Sequence, residues 1–394
     1  MMDRSRYRPE LFKIVAIAGG LVIATVCAIL ADFFVSRVWR PSTHAVTIQK
    51  PYVPKEHGWY ELQPNFVGHD QFGPHVYVVE TDAHGFRRKP GATSPISYEV
   101  IFLGDSFTYG INGPWEETFV GMFASGSSKD VLNGGVASYS PTAYLYQYKK
   151  ALAAKLLPRG HTVVVAVDIS DVQDEAGIWT DGETHPHRVR ATPVPPVPGT
   201  LTNGTPVRES QAAAAPPTPR TMVDVRAAVI EALPNTWAIY RLIRYDLLRW
   251  NRPELITMPR SAFTHQTWAD LDSQPAQLQQ GYGPLGVAGG LSRVSDKLRE
   301  LADMAKPLDA RVYLLIYPWP AQVAHADRFS WSAFVSDTCR RASCAGVIDT
   351  IPAFRSIAAR DKSWLNTYYI SGDTHFSSKG NRIVADAALA VIAR

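Results

Sequence analysis

The feature that most constrains the fold is a repeated alternation, from residue 98 onward, of short apolar runs and segments with helical spacing. The first run, YEVIFLG, is continuously apolar and ends at Gly104, as a strand buried in a parallel sheet does. Four further runs follow: DVLNGGV (130–136), HTVVVAVDIS (161–170), ARVYLLIYP (310–318) and AGVIDT (345–350). Because helical segments separate these runs, the sequence predicts an α/β, doubly wound, flavodoxin-like parallel sheet of five strands with helices on both faces.

The N-terminal region predicts a membrane anchor. An apolar run from Ile14 to Ala31 is followed by Asp32 and then by Phe33, Phe34 and Val35, so that residues 14–35 meet the length of about 20 residues that a membrane-spanning helix needs. The cations in residues 1–13 place that tail in the cytoplasm. A cleaved signal peptide is the alternative, but the run is long and no clear small-x-small site follows it. We therefore expect a single-pass inner-membrane protein whose catalytic domain is periplasmic.

The rest of the chain divides into two further parts. Residues 36–97 are rich in Pro, Gly, His and aromatic residues and predict a linker that becomes a small β-rich cap. Residues 98–394 form the main domain, which carries an insertion at 181–290. Within it, 181–221 is too poor in bulky apolar residues to pack a core, whereas 222–250 predicts a helical, aromatic-rich segment. Such an insertion is usually a lid, a binding surface or a disordered excursion.

The net charge, the cysteines and the histidines bear on which partners and cofactors the protein could bind. The net charge is +4 without clustered Lys and Arg, so we predict no nucleic-acid partner. Cys339 and Cys344 could form a disulfide in an oxidising compartment, or remain free thiols. His185 and His187, on either side of a Pro in a polar loop, are interpreted as solvated, and no metal or other cofactor is predicted.

Two short motifs could carry chemistry. Ser106, in Gly-Asp-Ser, directly follows the first strand, and ligands of doubly wound sheets bind at the carboxyl ends of strands. Asp373 and His375 precede the last helix and could supply a base and the group that orients it. Each motif alone has a structural alternative, since Asp105 fits a turn or helix cap and the second motif fits a capping loop.

Together these motifs resemble one family. GDSF (104–107) and DTHFSSKGN (373–381) are similar to the first and last sequence blocks of SGNH (GDSL-like) hydrolases, and NGGV (133–136) resembles the second block. The resemblance implies that Ser106 is the nucleophile and an oxyanion donor through its own N–H. It also implies that His375 is the base and that Asp373 orients it. In the second block it assigns an oxyanion donor to the backbone of Gly135, with Gly134 as the alternative.

The third block departs from the family pattern. Where the family has an Asn that donates to the oxyanion, residues 167–171 read VDISD, so Ser170 takes its place as the predicted donor. Loss of one such donor typically costs about 10²–10³ in rate. Tyr109 and Trp319 lie near the carboxyl ends of strands and could line the substrate site, although structural packing is an equal alternative.

A serine, histidine and aspartate site performs acyl transfer, giving an esterase with water and an O-acyltransferase with a sugar hydroxyl. The architecture resembles the periplasmic SGNH proteins of alginate-type O-acetylation systems, which work beside a multi-spanning membrane acyltransferase. This implies acetyl transfer to or from an envelope or secreted polysaccharide, with an acylated carbohydrate as substrate and such an acyltransferase as partner. A lipid or small-ester hydrolase and a non-catalytic glycan-binding scaffold protein remain alternatives.

Overall fold

The computed structural model describes residues 7–38, 50–72, 75–111, 113–188, 282–325, 329–370 and 373–393. These residues fall into two units, which are described separately. The first contains helix α1, Tyr7–Val38, which covers the anchor predicted at 14–35. Over the described part of the chain, no helix combines the length and the apolar character needed to cross a membrane. The predicted transmembrane anchor is therefore not supported.

The second unit holds the strands and the remaining helices. The strands are β1 Tyr52–Pro54, β2 Tyr60–Leu62, β3 Val67–Phe72, β4 His75–Thr81, β5 Arg87–Arg88, β6 Val100–Leu103, β7 Val131–Asn133, β8 Thr162–Val167, β9 Trp179–Thr180, β10 His187–Arg188, β11 Arg311–Ile316 and β12 Gly346–Asp349. The helices are α2 Ser106–Tyr109, α3 Phe119–Gly126, α4 Pro141–Ala153, α5 Ser170–Gly177, α6 Gly286–Ala305, α7 Pro320–Ala324, α8 Trp331–Ala342, α9 Ile351–Ala358, α10 Trp364–Tyr368 and α11 Ser378–Ile392. Short 3₁₀ turns lie at Glu56–Gly58, Trp115–Glu117 and Lys306–Leu308.

The central sheet has eight strands in the order β12-β11-β8-β6-β7-β5-β4-β3. The strands from β12 to β7 pair in parallel and correspond to the five apolar runs of the sequence. We call them the parallel half. Strands β5, β4 and β3 extend the sheet by antiparallel pairing beyond β7, and we call them the antiparallel half. The α/β architecture is as predicted, but the expectation of an all-parallel sheet of five strands was wrong.

The sequence assigned this region to a separate β-rich cap at 36–97 and did not predict that β3, β4 and β5 join the central sheet. Strand β3, VGHDQF, alternates buried and partly exposed residues toward its end, which is the pattern of an antiparallel strand with one solvated face. Strand β5 has only two residues and joins β7 through one residue pair, Arg87 opposite Asn133. A segment of that length has no detectable period.

The core lies on both faces of the parallel half. Every residue of β6 and of β8 is buried. Burial of one such Val, Leu, Ile or Phe side chain contributes about 1.5–3 kcal/mol. Helices α4, α5, α6 and α8 pack together in one layer, and α3 packs against α11 in the other. This layering leaves the carboxyl ends of the parallel strands to the connecting loops, which is where the predicted site residues lie.

Two further expectations concern the loops. Cys339 and Cys344 form a disulfide with a Cα–Cα distance of 5.1 Å, as the sequence allowed. Helix α8 ends between them, and Ser343 adopts a left-handed conformation that turns the chain back. Most of the predicted insertion at 181–290, including its helical segment 222–250, lies outside the described residues.

Candidate active site

Ser106 lies on the tight connection between β6 and α2. Strand β6 ends at Leu103, and Asp105 caps the helix by accepting a hydrogen bond of 2.9 Å from the N–H of Phe107. A Cβ at Gly104 would overlap the side chain of Thr108, so only glycine allows the helix to pack this close to the strand. Ser106 is therefore held at the carboxyl end of a buried strand, in the first turn of a helix.

The structure brings Ser106, His375 and Asp373 together, although Ser106 and His375 are 269 positions apart in sequence. The Oγ of Ser106 lies 2.7 Å from Nε2 of His375. On the other side of the ring, Nδ1 of His375 lies 2.6 Å from Oδ1 of Asp373, which also accepts the backbone N–H of His375 at 2.9 Å. A nucleophile, a base and an orienting carboxylate at these distances form an arrangement that activates a serine hydroxyl.

Electrostatics make His375 a stronger base than a free imidazole. Burial alone would lower the pKa of His375, but the charge and hydrogen bond of Asp373, together with the charges of Asp105 and Asp168, outweigh it and raise the pKa above its ordinary value. The side chain of His375 remains 13% exposed. The ring is thus poised to take a proton from Ser106 on a side that a substrate can approach.

Two aromatic rings hold the His375 ring. Phe107 lies at 4.5 Å between ring centroids, and Phe72 packs edge to face at 5.0 Å. Phe72 comes from β3 in the antiparallel half and belongs to a small apolar cluster with Phe66, Tyr77 and Val79. The sequence analysis missed this contact. The sequence signal for it was the spacing of two between Asp70 and Phe72, which places both side chains on the same face of a strand.

Most of the predicted oxyanion donors are already hydrogen-bonded within the protein. The N–H of Gly135 donates to Oδ1 of Asn133 at 2.9 Å, and that of Gly134 donates to the carbonyl of Phe102 at 2.7 Å. The N–H and the hydroxyl of Ser170 both donate to Oδ1 of Asp168 at 2.7 Å. Of these four predicted donor residues, Ser106, in the first turn of α2, is the one whose N–H has no acceptor within the described part of the chain.

The two aromatic residues predicted near the substrate are packed into the protein. Tyr109 is 0% exposed, and its hydroxyl donates to Oδ2 of Asp70 at 3.2 Å. Trp319 is 6% exposed, and its Nε1–H donates to Oδ2 of Asp168 at 2.8 Å. Both side chains use their polar atom to satisfy a buried carboxyl group, so the structural alternative accounts for their positions.

A group of buried carboxyl groups lies at the ends of the two neighbouring strands β6 and β8. It consists of Asp105, Asp168 and Asp171. Burial, with the charge of Asp168, raises the pKa of Asp105 to about 7. Burial and the same charge also raise the pKa of Asp171 well above its usual value. The sequence identified Asp105 only as a cap, and the proximity of these groups could not be seen before the strand order was known.

A buried arginine of the antiparallel half binds the segment that follows α2. Arg87, 1% exposed, donates from Nη1 to the carbonyls of Tyr109 and Gly110 at 2.6 and 2.7 Å, and from Nη2 to that of Gly113 at 2.8 Å. Its guanidinium also lies 5.0 Å from the centroid of the Tyr109 ring. Arg87 therefore holds the carboxyl-terminal end of the short helix whose first residue is Ser106.

The histidines that the sequence singled out lie away from this site. His187 packs against His57 with 4.3 Å between ring centroids, and His185 stacks near Trp59. Within the described ranges, no group of three or more His, Cys, Asp or Glu side chains is arranged to hold a metal ion.

Comparison with known proteins gives limited information. No family model and no curated protein matches the chain. Among solved structures, it is similar to variants of Axe2, described as an acetylxylan esterase or acetyl-xylooligosaccharide esterase from Geobacillus stearothermophilus. Sequence identity is 12–13% and the TM-score 0.37–0.38, with 76% of this chain and 95% of the other covered. TM-scores this low are insufficient for us to infer function.

Proposed function

We propose that this protein is a serine-dependent acyl-transfer enzyme, an O-acetylesterase or O-acetyltransferase, that acts on a polysaccharide through an acyl-enzyme on Ser106. One observation carries the proposal: Ser106 Oγ, His375 and Asp373 are connected by contacts of 2.7 and 2.6 Å at the carboxyl end of the sheet. This geometry matches the roles that nucleophilic catalysis requires and needs no cofactor.

The reaction follows from these contacts. Ser106 Oγ forms a bond to the ester carbonyl carbon while its proton passes to Nε2 of His375, and Asp373 stabilises the resulting imidazolium. The tetrahedral intermediate collapses, the alcohol leaves with the proton from His375, and the acyl group remains on Ser106. Water or a sugar hydroxyl then attacks the acyl-enzyme and gives its proton to His375. The second tetrahedral intermediate expels Ser106 Oγ, which takes that proton back from His375. The product is a free acid in the first case and a new ester in the second.

The finer parts of the proposal have separate support. The resemblance to alginate-type O-acetylation proteins supports acetyl as the acyl group and a polysaccharide as its carrier. It also supports a multi-spanning membrane acyltransferase as the acyl donor, should the reaction be a transfer to sugar. The disulfide between Cys339 and Cys344 supports an oxidising compartment such as the periplasm.

Specific observations favour the two alternatives. Phe72 and Phe107 give the His375 ring an apolar surround, which would suit a longer acyl chain and hence a lipid or small-ester hydrolase. The engaged N–H of Gly135 and hydroxyl of Ser170 would suit a scaffold protein that has lost catalysis. We favour acyl transfer because a scaffold has no need of the aligned His375 and Asp373.

The test uses the purified full chain with acetyl, butyryl and octanoyl aryl esters and with a partly acetylated oligosaccharide. We expect acetate release, or acetyl transfer to an unacetylated oligosaccharide, with acetyl esters preferred. His375→Ala should abolish turnover, whereas His57→Ala, at an exposed histidine outside the site, should retain it. Preference for the octanoyl ester would favour a lipid hydrolase, and no turnover of any ester would favour the scaffold.

A further inference from the structure

The proposed reaction creates a negatively charged oxygen, and the site has few free hydrogen-bond donors to stabilise it. The tetrahedral intermediate carries an oxyanion, and hydrogen-bond donors aimed at it are usually a large part of catalysis. The N–H of Gly135 and the hydroxyl of Ser170 are already bound to Asn133 and Asp168. Ser106 therefore provides one donor, and a second donor has to come from elsewhere near its Oγ.

Asp105 is the polar side chain adjacent to that position. It is 4% exposed, and its two oxygens differ in their partners. Oδ1 accepts hydrogen bonds from the N–H of Phe107 at 2.9 Å and from the hydroxyl of Tyr317 at 3.1 Å. Oδ2 lies 3.4 Å from Ser106 Oγ. Because two donors already point at Oδ1, a proton on this carboxyl group would reside on Oδ2, beside the nucleophile.

The neighbouring strand explains why Asp105 would hold a proton near neutral pH. Asp168, 1% exposed, is a buried carboxylate that accepts three hydrogen bonds, two from Ser170 and one from Trp319. That buried charge, added to the burial of Asp105 itself, raises the pKa of Asp105 to about 7. A carboxylic acid kept neutral by its surroundings can act as a hydrogen-bond donor in an oxyanion hole.

We propose that neutral Asp105 donates a hydrogen bond from Oδ2 to the oxyanion that forms on the carbon attached to Ser106 Oγ, and so replaces the donor that the third block lacks. This inference rests on the proposed function. It makes Asp105 a catalytic residue in addition to a helix cap. The same group would then switch from a donor to a repelling anion when it ionises, and catalysis would depend on its proton.

The pH dependence follows from the groups around Asp105. Those that face it are His375, Tyr317, Asp168, Asp171, Tyr144 and Tyr60. Activity needs neutral His375, whose pKa is raised, so it increases as pH rises through that value. It also needs neutral Asp105, so it decreases again as pH rises through about 7. The two groups titrate as a pair, and the result is a narrow bell-shaped profile.

Asp105→Asn tests the inference directly. Asn also caps helices, its Oδ1 can keep both accepted bonds, and its amide nitrogen takes the place of Oδ2 and donates at every pH. We expect the wild type to lose activity about tenfold per pH unit above the optimum, and Asp105→Asn to lose this alkaline decrease. Asp168→Asn, which removes the neighbouring charge, should move the alkaline decrease to lower pH.

The possible outcomes distinguish a failure of the inference about Asp105 from a failure of the proposed function. If Asp105→Asn keeps the alkaline decrease of the wild type, or is folded but inactive at every pH, the inference is overturned while the proposed function stands. Should that variant fail to fold, an unmoved alkaline decrease in Asp168→Asn would overturn the inference instead. If the wild type itself shows neither turnover nor modification of Ser106, the proposed function fails and the inference with it.

Discussion

The two halves of the central sheet contribute to the site in different ways. The parallel half is buried on both faces, and Asp105, Ser106 and Asp168, the nucleophile and the two carboxyl groups near it, follow the ends of its strands. The antiparallel half has one solvated face and reaches the site from the side, through Phe72 on His375 and through Arg87 on the carbonyls after α2. The parallel half supplies the nucleophile, the loop before α11 supplies Asp373 and His375, and the antiparallel half holds these groups in place.

This difference predicts how substitutions should act. A change of a polar side chain that acts at the carboxyl ends of the parallel strands should reduce the rate more than the stability, because the core there is formed by neighbouring apolar side chains. A change in the antiparallel half should reduce stability, or reduce the rate only modestly, because its side chains touch the catalytic groups without reacting. The following predictions test this division, from the largest expected effect to the smallest.

Asp373→Asn should reduce kcat/KM for an acetyl ester about 10⁴-fold, because an amide facing Nδ1 favours the wrong tautomer of His375. Steady-state kinetics measure the loss, and thermal unfolding should show little change in Tm. Asp361→Asn, at an exposed carboxylate that accepts hydrogen bonds from the N–H and hydroxyl of Ser363, is the matched control and should keep full activity. A loss of less than tenfold in Asp373→Asn would remove this residue from the proposed mechanism.

Arg87→Met should lower the free energy of unfolding by about 3 kcal/mol or more, since buried carbonyls of Tyr109, Gly110 and Gly113 would lose a charged donor. Urea unfolding measures this. Arg88→Met, on the same strand, removes a partly exposed ion pair with Glu80 and should cost about 1 kcal/mol or less. If both variants lowered the free energy of unfolding equally, the hydrogen bonds from Arg87 to the segment after α2 would have no particular importance for stability.

Phe72→Leu keeps apolar volume beside His375 but removes the edge-to-face ring contact. Aromatic pairs contribute about 0.5–1.5 kcal/mol beyond their buried area. Because loss of this contact would let the His375 ring leave its catalytic orientation more often, we expect kcat to fall about three- to tenfold. The control is Phe66→Leu, in the same apolar cluster. If both variants lowered kcat alike, the effect would belong to the cluster and not to the contact with His375.

The same division explains what the sequence could predict. Strands β6, β8 and β11 are almost continuous apolar runs, so their existence and the position of Ser106 after β6 follow from the sequence pattern. The pairing of Ser106 with His375 followed only from the resemblance to family blocks, because no local pattern joins residues 269 positions apart. In the antiparallel half, a buried arginine on a two-residue strand leaves no pattern that a periodicity argument can detect.

The predicted oxyanion donors show a second limit of prediction from sequence. Gly135 and Ser170 were chosen by their places in sequence blocks, which specify the residue but not the direction of its N–H or O–H. In the structure, each donates to a side chain two positions earlier, Asn133 and Asp168 respectively. Such local bonds between short polar side chains and nearby backbone or hydroxyl groups compete with a role toward substrate.

The central claim, an activated nucleophile at Ser106, is tested most directly by covalent modification. The full chain would be incubated with a fluorophosphonate, digested and analysed by mass spectrometry for the modified residue. The account predicts an adduct on Ser106 that is absent in Ser106→Ala, strongly reduced in His375→Ala and retained in Ser170→Ala. An unmodified Ser106, under conditions that modify a standard serine esterase completely, would contradict it.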